Sequence, residues 1–235
     1  MLMLQPTIAS AGTLMLLNST SPLVPHGTQT FSSAGTFTLV ASSASGTMSC
    51  YGPGGTGVKG AFFASPWSGG GGAGGGAFAS THVNITSGQS YTGSIGAIGS
   101  VSNFIVNGVE VVRADYGRSA SGTTHGAGGL AENSIGDVRH SGGDGSDGCT
   151  YAGGSGGGSA GSTGNGSPGS CSTDAQSAGG GHGSGVGGDG GDSGSSGVGH
   201  FDATDGQNPG GGGGGAYNSS GHVGAGSLGY CQFVY

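Results

Sequence analysis

The sequence predicts an all-β protein: an antiparallel β-sandwich base carrying a bundle of polyglycine-II helices and long loops, with essentially no α-helix. Three observations predict it. Short runs rich in β-branched and aromatic residues, bounded by Gly and Ser, recur in the first half and at the C-terminus. Some of them alternate apolar and polar residues, and no helical periodicity occurs anywhere. Glycine supplies 63 of the 235 residues, against an average usage of about 7%, and most of it falls in clusters beyond residue 116.

Residues 1–28 are irregular, fairly apolar and punctuated by Pro6, Pro22 and Pro25. They read as a docking or attachment arm. Residues 29–116 read as the base. Gln29, Thr30 and Phe31 begin a first strand, 36–40 (TFTLV) a second and 47–51 (TMSCY) a third. The breaker Gly52-Pro53-Gly54-Gly55 follows. Phe62, Phe63 and Trp67 form an aromatic patch. Residues 77–86 alternate as a half-buried strand should. The turn Ser87-Gly88-Gln89 leads to a return strand over 91–97. Asn107-Gly108 between the apolar runs 103–106 and 109–112 is a strong hairpin signal. The closing stretch 227–235, with Tyr230, Cys231, Phe233 and Val234, supplies a last strand to the base.

Residues 117–226 read as a separate glycine-rich domain with variable loops. Ordering glycine costs about 0.5–1 kcal/mol more per residue than alanine, and few apolar side chains are present there to offset it. The remaining source of stability is the backbone. A polyproline-II-type chain repeats every three residues and points its amides and carbonyls outward. Without Cβ atoms, such chains can pack side by side and pair those groups. Each bond contributes about 0.5–1.5 kcal/mol net. Collagen does not fit, because strict glycine at every third position is absent and proline totals 7.

Composition excludes several function classes. Lys and Arg total 4 and the net charge is −7, too few cations for nucleic-acid binding. No stretch approaches the roughly 20 apolar residues of a membrane span. The start lacks the positive region of a signal peptide, so synthesis in a host cytoplasm is expected. The cysteines, Cys50, Cys149, Cys171 and Cys231, hold no CxxC pair. They read first as small buried side chains or free thiols. Disulfides are the alternative, with Cys50 and Cys231 the first pair to test.

Catalytic and metal motifs are weak, and no cofactor is expected. Residues 142–147 (GGDGSD) and 187–192 (GGDGGD) match the start of a calcium-binding nonapeptide. True repeats are tandem, so coincidence in a Gly/Asp-rich chain is the better reading. Residues 153–157 (GGSGG) fit G-x-S-x-G without the strand and helix that a nucleophile elbow needs. The loops carry a different signal. His125, Arg139, His140, Tyr151, His182, His200, Phe201, Tyr217 and His222 place rings and a guanidinium among Ser, Thr and Gly. Recognition surfaces favour such anchors. The competing reading is that these residues pin the loops to the bundle.

The stretch 74–97 (GGGAFASTHVNITSGQSYTGSIGA), together with Gly35-Thr36-Phe37-Thr38, Gly54-Gly55 and the run 210–217 (GGGGGGAY), resembles the glycine-rich domain proteins of phage tail modules. The resemblance runs from about residue 29 to the C-terminus. It is similar in style to the tip adhesins of T-even-type long tail fibres. Two departures are Val40-Ala41, where the family has Val-Pro, and a closing strand that carries Cys231 and Gln232. The resemblance implies a β-sandwich from which glycine helices project, with loops that contact a host receptor. The function it implies is a non-enzymatic virion protein, an adhesin at the tail or fibre tip. Its partners would be other virion proteins, through the N-terminal region, and a host surface glycan or outer-membrane protein. A homo-oligomer is compatible with it. Two alternatives are a virion structural or decoration protein without a receptor, and an ice-binding protein.

Overall fold

The structure is a computed structural model and describes residues 27–39, 44–60, 68–86, 90–173, 176–196 and 202–235. Its strands are β1 (Thr28–Phe31), β2 (Gly35–Leu39), β3 (Ala44–Tyr51), β4 (Phe78–Ile85), β5 (Tyr91–Ile95), β6 (Ser102–Val106), β7 (Val109–Ala114), β8 (Val138–His140) and β9 (Tyr230–Val234). They form two antiparallel sheets, ordered β1-β9-β3-β4-β8 and β2-β5-β6-β7. Among the described residues the only helical turn is a single 3-10 turn, Ala131–Asn133. The protein is all-β.

The alternation in the strands explains the sandwich. Phe37, Leu39, Met48, Val83, Ile85, Tyr91, Ile95, Phe104, Val112 and Phe233 point inward from both sheets and form one core. Each such side chain, fully buried, contributes about 1.5–3 kcal/mol. Gly93 makes room for Phe37: a Cβ there would stand 2.3 Å from the Phe37 ring. The β6–β7 turn runs through Asn107 and Gly108 at φ 49° and 80°. Both residues of such a tight hairpin turn need this left-handed backbone. Glu110 faces Ile105 and Val112 faces Phe104, so Val111 is the extra residue of a bulge.

The cysteines form disulfides, contrary to the first reading of them as free thiols. Cys50 and Cys231 are register partners on β3 and β9 and are bonded to each other across the sheet. Cys149 is bonded to Cys171. The first of these is the pair the sequence put first for testing, and small spacing between adjacent strands brings it together.

Glycine-rich runs leave one end of the sandwich: Gly52 after β3, Ala77 before β4, Asp115 after β7 and Gly229 before β9. The run 69–77 shows how they pack. Its amides 70, 73 and 76 donate to the carbonyls of 216, 213 and 210. Those of 69, 72 and 75 donate to 149, 146 and 143, and those of 71, 74 and 77 to 122, 118 and 115. Its carbonyls accept from 52, 55 and 58, from 126 and 129, and from 154, 157 and 160. Every third residue therefore serves one neighbour, and six neighbours surround the run. Runs 153–160 and 210–216 are enclosed in the same threefold way. Glycine is required for this approach: a Cβ on Gly74, Gly156 or Gly213 would stand 2.0 Å from a neighbouring carbonyl oxygen.

Glycine density does not mark where the bundle begins. Runs 52–60 and 68–77, which the sequence places in the 29–116 base, lie within the bundle, and 69–77 is one of its interior chains. The attachment arm expected over 1–28 falls outside the described residues up to position 26, as do Phe62, Phe63, Trp67 and the turn 87–89.

Candidate functional site

The bundle has two ends of different character. At the sandwich end the turns are short. Gly161 bridges Gly164, and Gly187 N–H donates to Ser184 O. At the distal end, segments around 59–60, 68, 121–125, 147–152, 171–173, 196, 202–203 and 216–222 meet. Gly148 N–H donates to Thr123 O, Ser196 N–H to Tyr151 O, Ala203 N–H to His222 O and Gly60 N–H to Ala216 O. Lys59 Nζ reaches Ser219 O at 3.1 Å. The Cys149–Cys171 disulfide ties two of these segments together.

Four of the residues singled out from sequence gather here: His125, Tyr151, Tyr217 and His222. His125 donates its backbone N–H to Asp147 Oδ1 at 2.8 Å, and its Nδ1 stands 2.6 Å from the same oxygen. The backbone bond first, and the ring bond second, hold the Asp147 carboxyl below the usual carboxylate range. The His222 backbone N–H donates to Asp202 Oδ1 at 2.5 Å. Tyr151 stands 46% exposed, whereas Tyr217 is buried to 9%. Burial pushes the Tyr217 phenol up, and the neighbouring Tyr151 adds to the rise. Tyr151 also borders an open cavity of about 380 Å³ with Ser68, Gly148, Cys149, Thr150 and Thr173.

The other residues fall elsewhere. Arg139 and His140 lie on β8, opposite Ala79 and Phe78 of β4. The His140 ring stacks on Phe78, and Arg139 Nη1 donates to Ser134 O. Both belong to the sandwich edge: glycine on either side had made this three-residue strand look like loop. His182 sits on the bundle flank near the sandwich end, with Nδ1 3.6 Å from Asp189 Oδ1. His200 and Phe201 lie outside the described residues. Sequence reasoning did not single out Lys59, Thr150, Thr173 or Asn218. Asn218 Oδ1 accepts from Ser220 N–H and Gly221 N–H and shapes the last distal turn. Lys59, Thr150 and Asn218 share one signal, a place just beyond a glycine-rich run.

The GGDGSD and GGDGGD motifs have a structural use. Asp144 and Asp147 accept the backbone N–H groups of Gly128 and His125. Asp189 and Asp192 accept those of Gly183 and Gly180, and Asp202 and Asp205 those of His222 and Ala225. The three-residue spacing of each Asp pair matches the threefold chain. Each carboxylate ends the lattice where no backbone acceptor is available, and charged acceptors make such bonds strong. No cluster of three metal-ligating side chains occurs among the described residues.

Chemically, the distal end offers phenols, hydroxyls, imidazoles and backbone amides, together with the charges of Lys59, Asp147 and Asp202. It suits stacking and hydrogen bonding to a sugar or a protein loop. No family model matches the sequence, and no curated protein matches it.

Proposed function

We propose that this protein is a virion adhesin, the receptor-binding element at the tip of a phage tail or tail fibre. One observation supports this reading above the others: the molecule has two opposite poles. Gly27 pairs with Tyr235 at the end of the sandwich away from the bundle. Residues 1–26 therefore join the described chain at that pole, where other virion proteins would hold it. The distal pole, beyond glycine runs such as 52–60, about 25 Å long at a rise of roughly 3.1 Å per residue, gathers Tyr151, Tyr217, His125 and His222. There the protein reads a glycan or an outer-membrane protein of the host surface, without catalysis.

Purified protein added in excess should slow phage adsorption to a susceptible host. A variant with Tyr151→Ala should compete less well while keeping the fold. Absence of competition by the unaltered protein contradicts the reading. It would move the weight to a structural or decoration protein, for which a copy number well above that of fibres would be expected.

A further inference from the structure

A second cleft lies at the other end of the bundle, where the turns at 184–187 and 208–210 overhang the outer face of the β1-β9-β3-β4-β8 sheet. Its floor is the aromatic end of that face. Tyr51 packs edge-on against Phe78 and Tyr230, at ring separations of 5.0 and 5.7 Å, and Ala160 of the bundle closes over them. The cavity measures about 440 Å³, within the roughly 300–1,000 Å³ of small-molecule sites. Ser32, Val186, Asn208, Pro209, Tyr230 and Gln232 line it.

Two features mark this cleft as a ligand site. None of its lining residues is charged. Its polar side chains are also unused by the fold. Elsewhere in the bundle Asp144, Ser155, Asn165, Asp192 and Asp205 bond backbone amides or carbonyls. Among the described residues, the amides of Asn208 and Gln232 and the hydroxyls of Ser32 and Tyr230 make no such bond. An amide presents two donors and an acceptor, and a hydroxyl one donor and two acceptors. Such a set complements the vicinal hydroxyls of a sugar, whose apolar face needs a ring or aliphatic wall. Tyr230, Pro209 and Val186 supply that wall. Burial, and second the Tyr230 phenol, push Tyr51 up to about 12, so its own hydroxyl stays protonated. From these groups we infer that the junction cleft binds a neutral saccharide, one or two residues long. The site is separate from the distal pole and does not depend on the adhesin reading.

Saturation-transfer NMR on the whole chain tests this, with glucose, galactose, N-acetylglucosamine and maltose as probes at millimolar concentration. At least one sugar should receive saturation. Val186→Arg, at an exposed position on the cleft mouth, should abolish the transfer. Asn208→Ala and Gln232→Ala should each weaken binding up to about tenfold, the effect of one hydrogen bond. Tyr151→Ala at the distal pole should leave it unchanged. No transfer from any sugar overturns the inference. So does transfer that survives Val186→Arg, or that is lost only with Tyr151→Ala, since the sugar would then bind elsewhere.

Discussion

In the sandwich, Phe37, Tyr91, Phe104 and Phe233 fill the space between two sheets. In the bundle, the buried positions are mostly glycine, with Ala73, Ser155, Ser159 and Ala160 as the largest side chains of its interior runs. One region is held by apolar side chains with backbone bonds along the sheets. The other is held by backbone bonds to six neighbours, with dispersion between bare main chains. The difference teaches that close packing does not require a hydrophobic core, provided every amide and carbonyl finds a partner. Serine hydroxyls and Asp pairs supply those partners at the gaps and edges. Ser155 Oγ accepts from Ser170 N–H and donates to Gly179 O.

The two regions should break in opposite ways. The largest effect is expected on removing the Cys50–Cys231 disulfide, which closes a separation of 181 residues. Its loss should cost about 5 kcal/mol, against about 3 for the 22-residue Cys149–Cys171 closure. Denaturation of the paired Cys→Ala variants checks the ranking. Phe104→Ala should cost about 3–5 kcal/mol by leaving a cavity in the sandwich. In the bundle, adding size costs more than removing it. Gly156→Ala adds one methyl and should cost about 1–3 kcal/mol by overpacking, whereas Ala160→Gly should cost about 1 kcal/mol or less. Equal tolerance of Gly156→Ala and Ala160→Gly would break the comparison.

Calorimetry sharpens it further. Unfolding should show a heat capacity change per residue well below the usual value of about 12–15 cal/mol/K, because the bundle exposes little apolar surface. The smallest effect concerns pH. Asp147 has a folded-state value below its unfolded one. Its contribution is therefore present above the usual Asp range near pH 4 and lost as pH falls through the lowered value. The protection of the His125 amide against hydrogen exchange, relative to a free amide at the same pH, should fall on acidification through that window, and in Asp147→Asn it should be reduced above the window and no longer respond to it.

The sandwich was legible because β-branched and aromatic runs bounded by Gly and Ser, some of them alternating, and the Asn-Gly turn are local signals. Strands β1 to β7 and β9 carry them in their own residues. β8 does not: Val138, Arg139 and His140 are a strand only because Ser80, Ala79 and Phe78 lie opposite. The glycine runs announce close packing but not partners, since any glycine can serve any neighbour. Membership of 52–60 and 68–77 in the bundle is therefore set by hydrogen bonds to each other and to runs far along the chain, out to residues 210–227. The same holds for the candidate site. Rings among glycines drew attention to both Tyr151 and His140, yet only the length and direction of each run separates the distal pole from the sandwich edge.

The most direct test of the two-pole account uses a single added thiol, since every described native cysteine is in a disulfide. Ser219→Cys places it at the distal pole and Thr28→Cys at the sandwich pole, both at exposed positions. Each variant is coupled to a bulky polymer and added to an adsorption assay. The prediction is that the Ser219 conjugate loses its ability to compete with phage while the Thr28 conjugate keeps it. Undiminished competition by the Ser219 conjugate, with loss at Thr28, would contradict receptor binding at the distal pole.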